Sequence, residues 1–90
     1  MKSNKELLKE LVEEHNQLRN KLDKLHRFIS SEDYTMLPER HKHLLIEQSK
    51  AMYAYAMTLY ERIGVVKNYT DGFADIFEEF FANTESHNEN

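Results

Sequence analysis

Residues 7–29, which read LLKELVEEHNQLRNKLDKLHRFI, carry the pattern that decides the fold. Alternating gaps of three and four residues separate seven positions: Leu8, Leu11, His15, Leu18, Leu22, Leu25 and Ile29. Six of these residues are apolar, and such a heptad seam predicts a long helix packed lengthwise against another helix. His15 is the polar exception, at a position where a polar group sets register, pairs with a neighbour or contacts a ligand.

The helical pattern predicts two long helices joined by a short connection. The first is expected over residues 4–30, with Ser3 or Asn4 as its N-cap. The second is expected over residues 38–66, because its leading proline suits a first helical turn, where the missing N–H is not needed. The expected fold is therefore all-α, with a long helical hairpin as its main body.

The C-terminal part of the chain has a different composition. Residues 72–81 predict a short third helix with an apolar face that consists of Phe73, Ile76, Phe77, Phe80 and Phe81. Residues 83–90 are expected to form a disordered acidic tail. Between the two long helices, residues 32–36 fit a short helical turn. We therefore expect a single helical domain over residues 1–82, followed by the tail.

Composition and charge narrow the functional classes. The 90-residue chain has no cysteine, which removes disulfides, thiolate nucleophiles and cysteine metal sites. Its five histidines lack metal-ligand spacing, and no metal or other cofactor is expected. Residues 68–90 hold six acidic residues and no lysine or arginine, so the helical body is mildly basic although the net charge is -4. That balance suits a small anion better than duplex nucleic acid, which needs a concentrated basic surface.

The N-terminal sequence and the hydropathy predict a cytoplasmic protein. Residues 1–5 lead into a charged amphipathic helix without an apolar signal core. No apolar run is long enough to cross a bilayer, so no membrane partner is expected. No pairing of a nucleophile with a base stands out, and we expect that the protein is not an enzyme.

The second helix carries two apolar stripes, and the first helix can cover only one of them. The stripe expected to pack on the first helix consists of Leu45, Ser49, Met52, Ala56, Leu59 and Ile63. The other, which we name the outer stripe, consists of Ile46, Lys50, Tyr53, Met57 and Tyr60. An exposed apolar patch of that extent usually marks an interface, so we expect the helices to pack into a homo-oligomer. The third helix predicted from the sequence is a further candidate to cover part of this stripe, within the chain or on a neighbouring copy.

His15 allows two interpretations. In the first, its imidazole pairs with a polar group across the helix interface and fixes register, as buried asparagines do in coiled coils. In the second, it binds a ligand together with Arg19, one turn later, and Lys21, at the other edge of the seam. Two copies of the first helix crossing antiparallel here would form a cationic pocket for a small anion with flat bases. Tyr53 and Tyr60 are candidates to stack on such a base, with plain packing as the alternative.

Two blocks of sequence are similar to those of a known group of proteins. They read Leu18-x-x-Lys21-Leu22-x-Lys24-Leu25-x-x-Phe28-Ile29-x-Ser31 and Leu44-Leu45-x-x-Gln48-x-x-Ala51-Met52-x-x-Tyr55. With their flanks they cover residues 11–64. In these blocks the chain resembles a family of small helical proteins encoded by tailed phages and related to the anti-CBASS sponges.

The resemblance implies a function and a set of ligand contacts. Such sponges assemble as helical hexamers and sequester, without hydrolysis, the cyclic oligonucleotides that activate the effectors of bacterial CBASS defence. The implied ligands are cyclic dinucleotides between paired helices and cyclic trinucleotides at a three-fold interface. His15 stands where relatives tend to have a base-stacking tyrosine, and Lys21 and Lys24 match basic positions. Arg62 is the candidate for the three-fold site. With Arg19, these are the predicted binding residues.

A second hypothesis belongs to a different class. The chain would be a helical interaction protein that inhibits a host or phage protein through its outer stripe or its acidic tail. This hypothesis predicts no response to nucleotides. Deleting residues 68–90 would cripple such an inhibitor, whereas a sponge built on the two long helices would keep its ligand.

Overall fold

A computed structural model describes residues 3–68 of the chain. Within this range the regular structure is entirely helical and consists of α1 (Asn4–Ile29), α2 (Glu32–Thr35) and α3 (Glu39–Lys67). α1 and α3 pack side by side as a hairpin, and α2 lies in their connection. The predicted all-α helical hairpin is confirmed. The third helix predicted over residues 72–81 and the tail predicted over residues 83–90 lie outside the described residues.

α1 begins at one of the two predicted caps and buries its seam. The Ser3 hydroxyl accepts a hydrogen bond from the Glu6 backbone N–H at 3.1 Å, which satisfies a donor that the start of a helix leaves unpaired. Along the helix, the fully buried residues are Leu8, Leu11, Val12, Leu18 and Leu22. His15 lies within this series and is partly buried. Leu25 and Ile29, which are nearer the connection, are partly buried as well. The heptad pattern therefore identified the face of α1 that meets α3.

The connection between the long helices is held by hydrogen bonds and ring contacts. The Ser31 hydroxyl donates to the Phe28 carbonyl oxygen at 2.5 Å, just beyond the end of α1. The Tyr34 hydroxyl donates to the Lys42 carbonyl oxygen at 3.3 Å, which ties α2 to the start of α3. The Tyr34 ring also meets Phe28 edge-on, with 6.4 Å between ring centroids, and Lys42 Nζ lies 6.0 Å from its centroid. These contacts constrain the direction in which α3 returns along α1.

α3 completes a narrow core along the hairpin. Its contribution consists of the buried Ala56, Leu59 and Val66, with Met52 and Ile63 packed beside them. Leu59 and Leu8 are the largest fully buried side chains, at 0% and 1% exposure. Four residues of the stripe predicted to pack on the first helix lie in this core: Met52, Ala56, Leu59 and Ile63. Leu45 and Ser49 of the same stripe are half-buried, nearer the connection. α3 continues through Gly64 to Lys67, so the glycine does not end the helix.

Three large apolar residues of the outer stripe are exposed in the described chain, although Ile46 is half-buried. Exposure is 56% for Tyr53, 43% for Met57 and 63% for Tyr60. An exposed patch of large apolar side chains usually marks an interaction site or a ligand-binding groove. Among the described residues, packing of the hairpin therefore buries the apolar seam of α1 and leaves apolar side chains exposed on one face of α3.

Candidate ligand-binding site

The α1 seam places His15 at the edge of the hairpin interface, opposite Tyr60 of α3. The two ring centroids are 6.2 Å apart, and the ring planes are tilted by 46°. Burial lowers the pKa of the His15 imidazole, the charge of Arg19 lowers it further, and a hydrogen bond with Asn16 raises it. Because the net shift is downward, the imidazole is mostly neutral at neutral pH. A neutral ring can stack on a base without the cost of desolvating a charge.

A shallow pocket, which we name the His15 pocket, opens beside this ring pair. Its volume is about 220 Å³, and its lining consists of His15, Arg19, Tyr53, Ala56, Met57 and Tyr60. Sites for drug-sized ligands usually enclose roughly 300–1,000 Å³. The His15 pocket of one chain therefore has room for one flat ring system, and a whole cyclic dinucleotide would extend beyond it.

The chemistry of the His15 pocket comes from both long helices. α3 presents the rings of Tyr53 and Tyr60, which lie two turns apart and are each more than half exposed. Aromatic rings arranged in this way act as stacking platforms for nucleic-acid bases. α1 adds the guanidinium of Arg19, an exposed group one turn beyond His15. A guanidinium can bind phosphate through two parallel hydrogen bonds, so aromatic and anion-binding groups share one concave surface.

The structure separates the five predicted binding residues into three places. His15 and Arg19 line the His15 pocket. Lys21 and Lys24 are exposed on α1 and are not part of that lining. Since each residue turns a helix by about 100°, Lys24 lies on the side of α1 opposite to His15. Of the five predicted residues, His15 and Arg19 are therefore the two that line one pocket of the described chain.

Arg62 lies in a different depression at the open end of the hairpin, which we name the Arg62 groove. Its volume is about 350 Å³, and its lining consists of Thr58, Glu61, Arg62, Val65 and Val66. Val65 is 58% exposed, although it is a branched apolar side chain. The groove offers mainly apolar surface with one positive and one negative side chain, a combination that differs from the aromatic His15 pocket.

Two lining residues of the His15 pocket were missed by the sequence analysis. Ala56 was assigned to packing alone, and Met57 was only a member of the outer stripe. Ala56 is 3% exposed, and its short side chain forms part of the pocket lining. The sequence does show a small residue among large ones along this part of α3. This pattern indicates a pocket only when the position of α1 is known.

The described residues were also compared with the requirements of a metal site and of a membrane-spanning helix. No group of three or more His, Cys, Asp or Glu side chains within residues 3–68 is arranged to hold a metal ion. Over the same residues, none of the helices has the length and apolar content that a bilayer crossing requires.

The fold and the His15 pocket together define a small helical-hairpin protein with an aromatic, cationic site. The family model named Sequestin matches residues 5–65, which span nearly all of α1 and α3, and the chain belongs to the Sequestin family. The family name indicates that its members sequester a partner. No curated protein and no solved structure matches the chain.

Proposed function

We propose that this protein binds cyclic di- or trinucleotide second messengers and sequesters them without cleavage, so that CBASS effectors are not activated. The proposed setting is the cytoplasm of an infected bacterial cell. The observation that carries the proposal is the His15 pocket, in which rings from both helices stand beside the Arg19 guanidinium. Membership of the Sequestin family supports sequestration, and the sequence resemblance to phage sponges supports the class of ligand.

Base recognition is assigned to the aromatic side chains. One base of the ligand would enter between the neutral His15 ring and the Tyr60 ring, whose centroids are 6.2 Å apart. Parallel stacking on both sides of a base needs rings separated by roughly twice the stacking distance, so Tyr60 would turn outward on binding. Its 63% exposure leaves that side chain room to rotate. Stacking on such rings is worth roughly 1–3 kcal/mol per base.

Phosphate recognition is assigned to Arg19, with Lys21 and Lys24 acting from other copies of the chain. The His15 pocket encloses about 220 Å³, which is too little for a complete cyclic dinucleotide. A second copy placed over the outer stripe would hold the other base and bury the exposed tyrosines. The proposal therefore includes a homo-oligomer, and the sequence resemblance suggests a hexamer. Arg62 lies outside the pocket and is given no part in dinucleotide binding.

The first test is a thermal-shift screen of the full chain against cyclic di- and trinucleotides, with linear dinucleotides and ATP as controls. A ligand at 100 times its dissociation constant adds roughly 2.7 kcal/mol to the free energy of unfolding, enough to raise the Tm by several degrees. We expect a shift with cyclic species only, and chromatography of the released ligand should recover it intact. A degraded ligand would contradict sequestration.

A matched pair of arginine variants tests the site itself. Arg19→Gln should weaken ligand binding at least about tenfold, because a charge-assisted bidentate contact to phosphate is lost. Arg27→Gln removes the same charge from an exposed position in the last turn of α1 and should leave affinity within about twofold. Titration calorimetry measures the ligand affinity of both variants. Equal losses in both would indicate general charge attraction and would remove the pocket assignment.

The exposed outer stripe also supports the alternative function, in which the protein blocks another protein. Tyr53 and Tyr60 would then anchor a protein partner, since tyrosine is enriched at the centres of such interfaces. No cyclic or linear nucleotide would change the Tm under this alternative. A folded chain that shows no shift in the whole screen, and whose toxicity or anti-defence phenotype needs Tyr60, would favour it.

A further inference from the structure

The most buried residue of the His15 pocket is also the one with the shortest side chain. Ala56 is 3% exposed, whereas Tyr53, Met57 and Tyr60 of the same lining are 56%, 43% and 63% exposed. Ala56 follows Tyr53 by three residues and precedes Tyr60 by four, so all three lie on one side of α3. The two tyrosines therefore flank a single methyl group along the helix, and a longer side chain at that position would occupy part of the pocket.

Ala56 belongs at the same time to the core of the hairpin. It packs in the buried cluster that also contains Leu11, Leu18 and Leu59. Close packing leaves the side chains of such a core little freedom to move. The position of the Ala56 methyl group is therefore fixed by the packing of α1 on α3, whereas the exposed tyrosine rings can rotate. A lining residue that cannot move aside is what discrimination between ligands by size requires.

The lining of the His15 pocket has few groups that could recognise the edge of a base. Side chains that distinguish one base from another are mainly asparagine, glutamine, aspartate and glutamate, together with arginine on guanine. The described lining contains none of the first four types, and its one arginine, Arg19, is assigned to phosphate. Stacking on aromatic rings tolerates any base, because every base has a π-face. The properties that remain for selecting a base are its flat area and its length.

We infer that Ala56 determines specificity by giving the His15 pocket the depth for a purine, so that the site prefers purine to pyrimidine bases. This inference rests on the proposed function. A purine has two fused rings and a pyrimidine has one, so a purine that reaches the Ala56 methyl group covers more of the His15 and Tyr60 rings. Stacking and the burial of apolar surface both grow with contact area. The larger base therefore binds more tightly as long as the pocket is deep enough to admit it.

The test compares the affinities of two cyclic dinucleotides with the same phosphodiester linkages, one with two adenines and one with two uracils. Titration calorimetry on the full chain should show the adenine compound bound at least about tenfold more tightly. Ala56→Val fills part of the pocket and should weaken adenine binding by at least about tenfold, while uracil binding changes by less than about threefold. Ala54→Val makes the same change at an exposed position outside the lining and should keep the original ratio of affinities.

The ratio of the two affinities distinguishes selection from stability. Valine at position 56 also crowds the core, and a smaller folded fraction lowers both apparent affinities by the same factor, which leaves their ratio unchanged. Ala56→Ser is a smaller enlargement that crowds the core less, and it should shift the ratio in the same direction. An unchanged ratio in the two variants, or equal or tighter binding of the uracil compound by the unmodified chain, would overturn the inference and leave the proposed function standing. Failure of every cyclic nucleotide to bind would overturn the proposed function, and the inference with it.

Discussion

The two long helices are of similar length but differ in the number of apolar faces they carry. α1 buries its apolar seam against α3, and the rest of its surface is mostly charged or polar. α3 buries Ala56, Leu59 and Val66 on one face, yet exposes Tyr53 and Tyr60 on another. Packing of the hairpin accounts for most of the apolar residues of α1, with Phe28 still 38% exposed, and for only part of those of α3. Surface beyond the needs of folding is therefore concentrated on α3.

The largest expected effect is on stability, and it comes from shortening a buried side chain on the face of α3 that packs on α1. Leu59→Ala removes a side chain with 0% exposure and should cost about 2–5 kcal/mol in free energy of unfolding, from lost burial and a cavity. Leu44→Ala makes the same change on α3 where leucine is 46% exposed, and should cost less than about 1 kcal/mol. Urea denaturation of both variants at one protein concentration measures the two changes in free energy of unfolding. Similar costs would show that Leu44 is covered in an assembly.

The next largest effect is on ligand affinity, and it distinguishes the outer stripe from the rest of the α3 surface. Tyr60→Ala should weaken cyclic dinucleotide binding by about 1–3 kcal/mol, because a stacking ring is lost from the His15 pocket. Tyr55→Ala removes the same ring from a position with 47% exposure that does not line the pocket, so affinity should stay nearly constant. Calorimetry gives both affinities. A larger loss for Tyr55 would place the ligand on another face of α3.

A smaller effect is expected at Gly64, on the same side of α3 as the outer stripe. A Cβ added at Gly64 would meet no atom within 4 Å. Gly64→Ala should therefore raise the free energy of unfolding by about 0.5–1 kcal/mol, through lower backbone entropy in the unfolded chain. Thermal unfolding measures the gain. A loss of stability instead would mean that the backbone of a neighbouring molecule approaches Gly64 closely.

The smallest effect is a dependence on pH carried by His15. Its pKa is lower in the folded chain than the ordinary value of 6.5, so the unfolded chain binds the proton more tightly. The corresponding stability is complete above that value and is lost as the pH falls through it towards the folded pKa. His15→Gln should flatten this part of the profile, while His43→Gln, with a side chain 61% exposed, should leave it in place. Denaturation midpoints between about pH 5.5 and 7.5 test this, and unchanged slopes in His15→Gln would contradict it.

Much of the fold could be predicted because the spacing of apolar residues along the chain indicates which face of each helix is buried. The positions of Leu8, Leu11, Leu18 and Leu22 identify the buried face of α1 without any knowledge of α3. The same is true of Ala56 and Leu59 on α3. Ser3 was one of two candidate caps because both residues have side chains that accept a hydrogen bond from the first helical turn.

The His15 pocket could be predicted only in part, because it depends on the register between the two helices. That register is set by the connection, where the Tyr34 hydroxyl bonds to the Lys42 carbonyl oxygen. A shift of α3 by one turn would move Tyr60 about 5.4 Å along α1, away from His15. Lys21 and Lys24 entered as candidates through a family resemblance, which carries no information about their orientation in one isolated hairpin.

The bond between Tyr34 and Lys42 also bears on the order in which the molecule opens. Its two residues are eight positions apart, whereas Leu8 and Val66, which share the core at the other end, are near opposite ends of the described chain. Closing a short loop costs less entropy than closing a long one, so the connection can re-form after each fluctuation while the far end separates. The connection would then act as the hinge of the hairpin and re-form first after the two long helices separate.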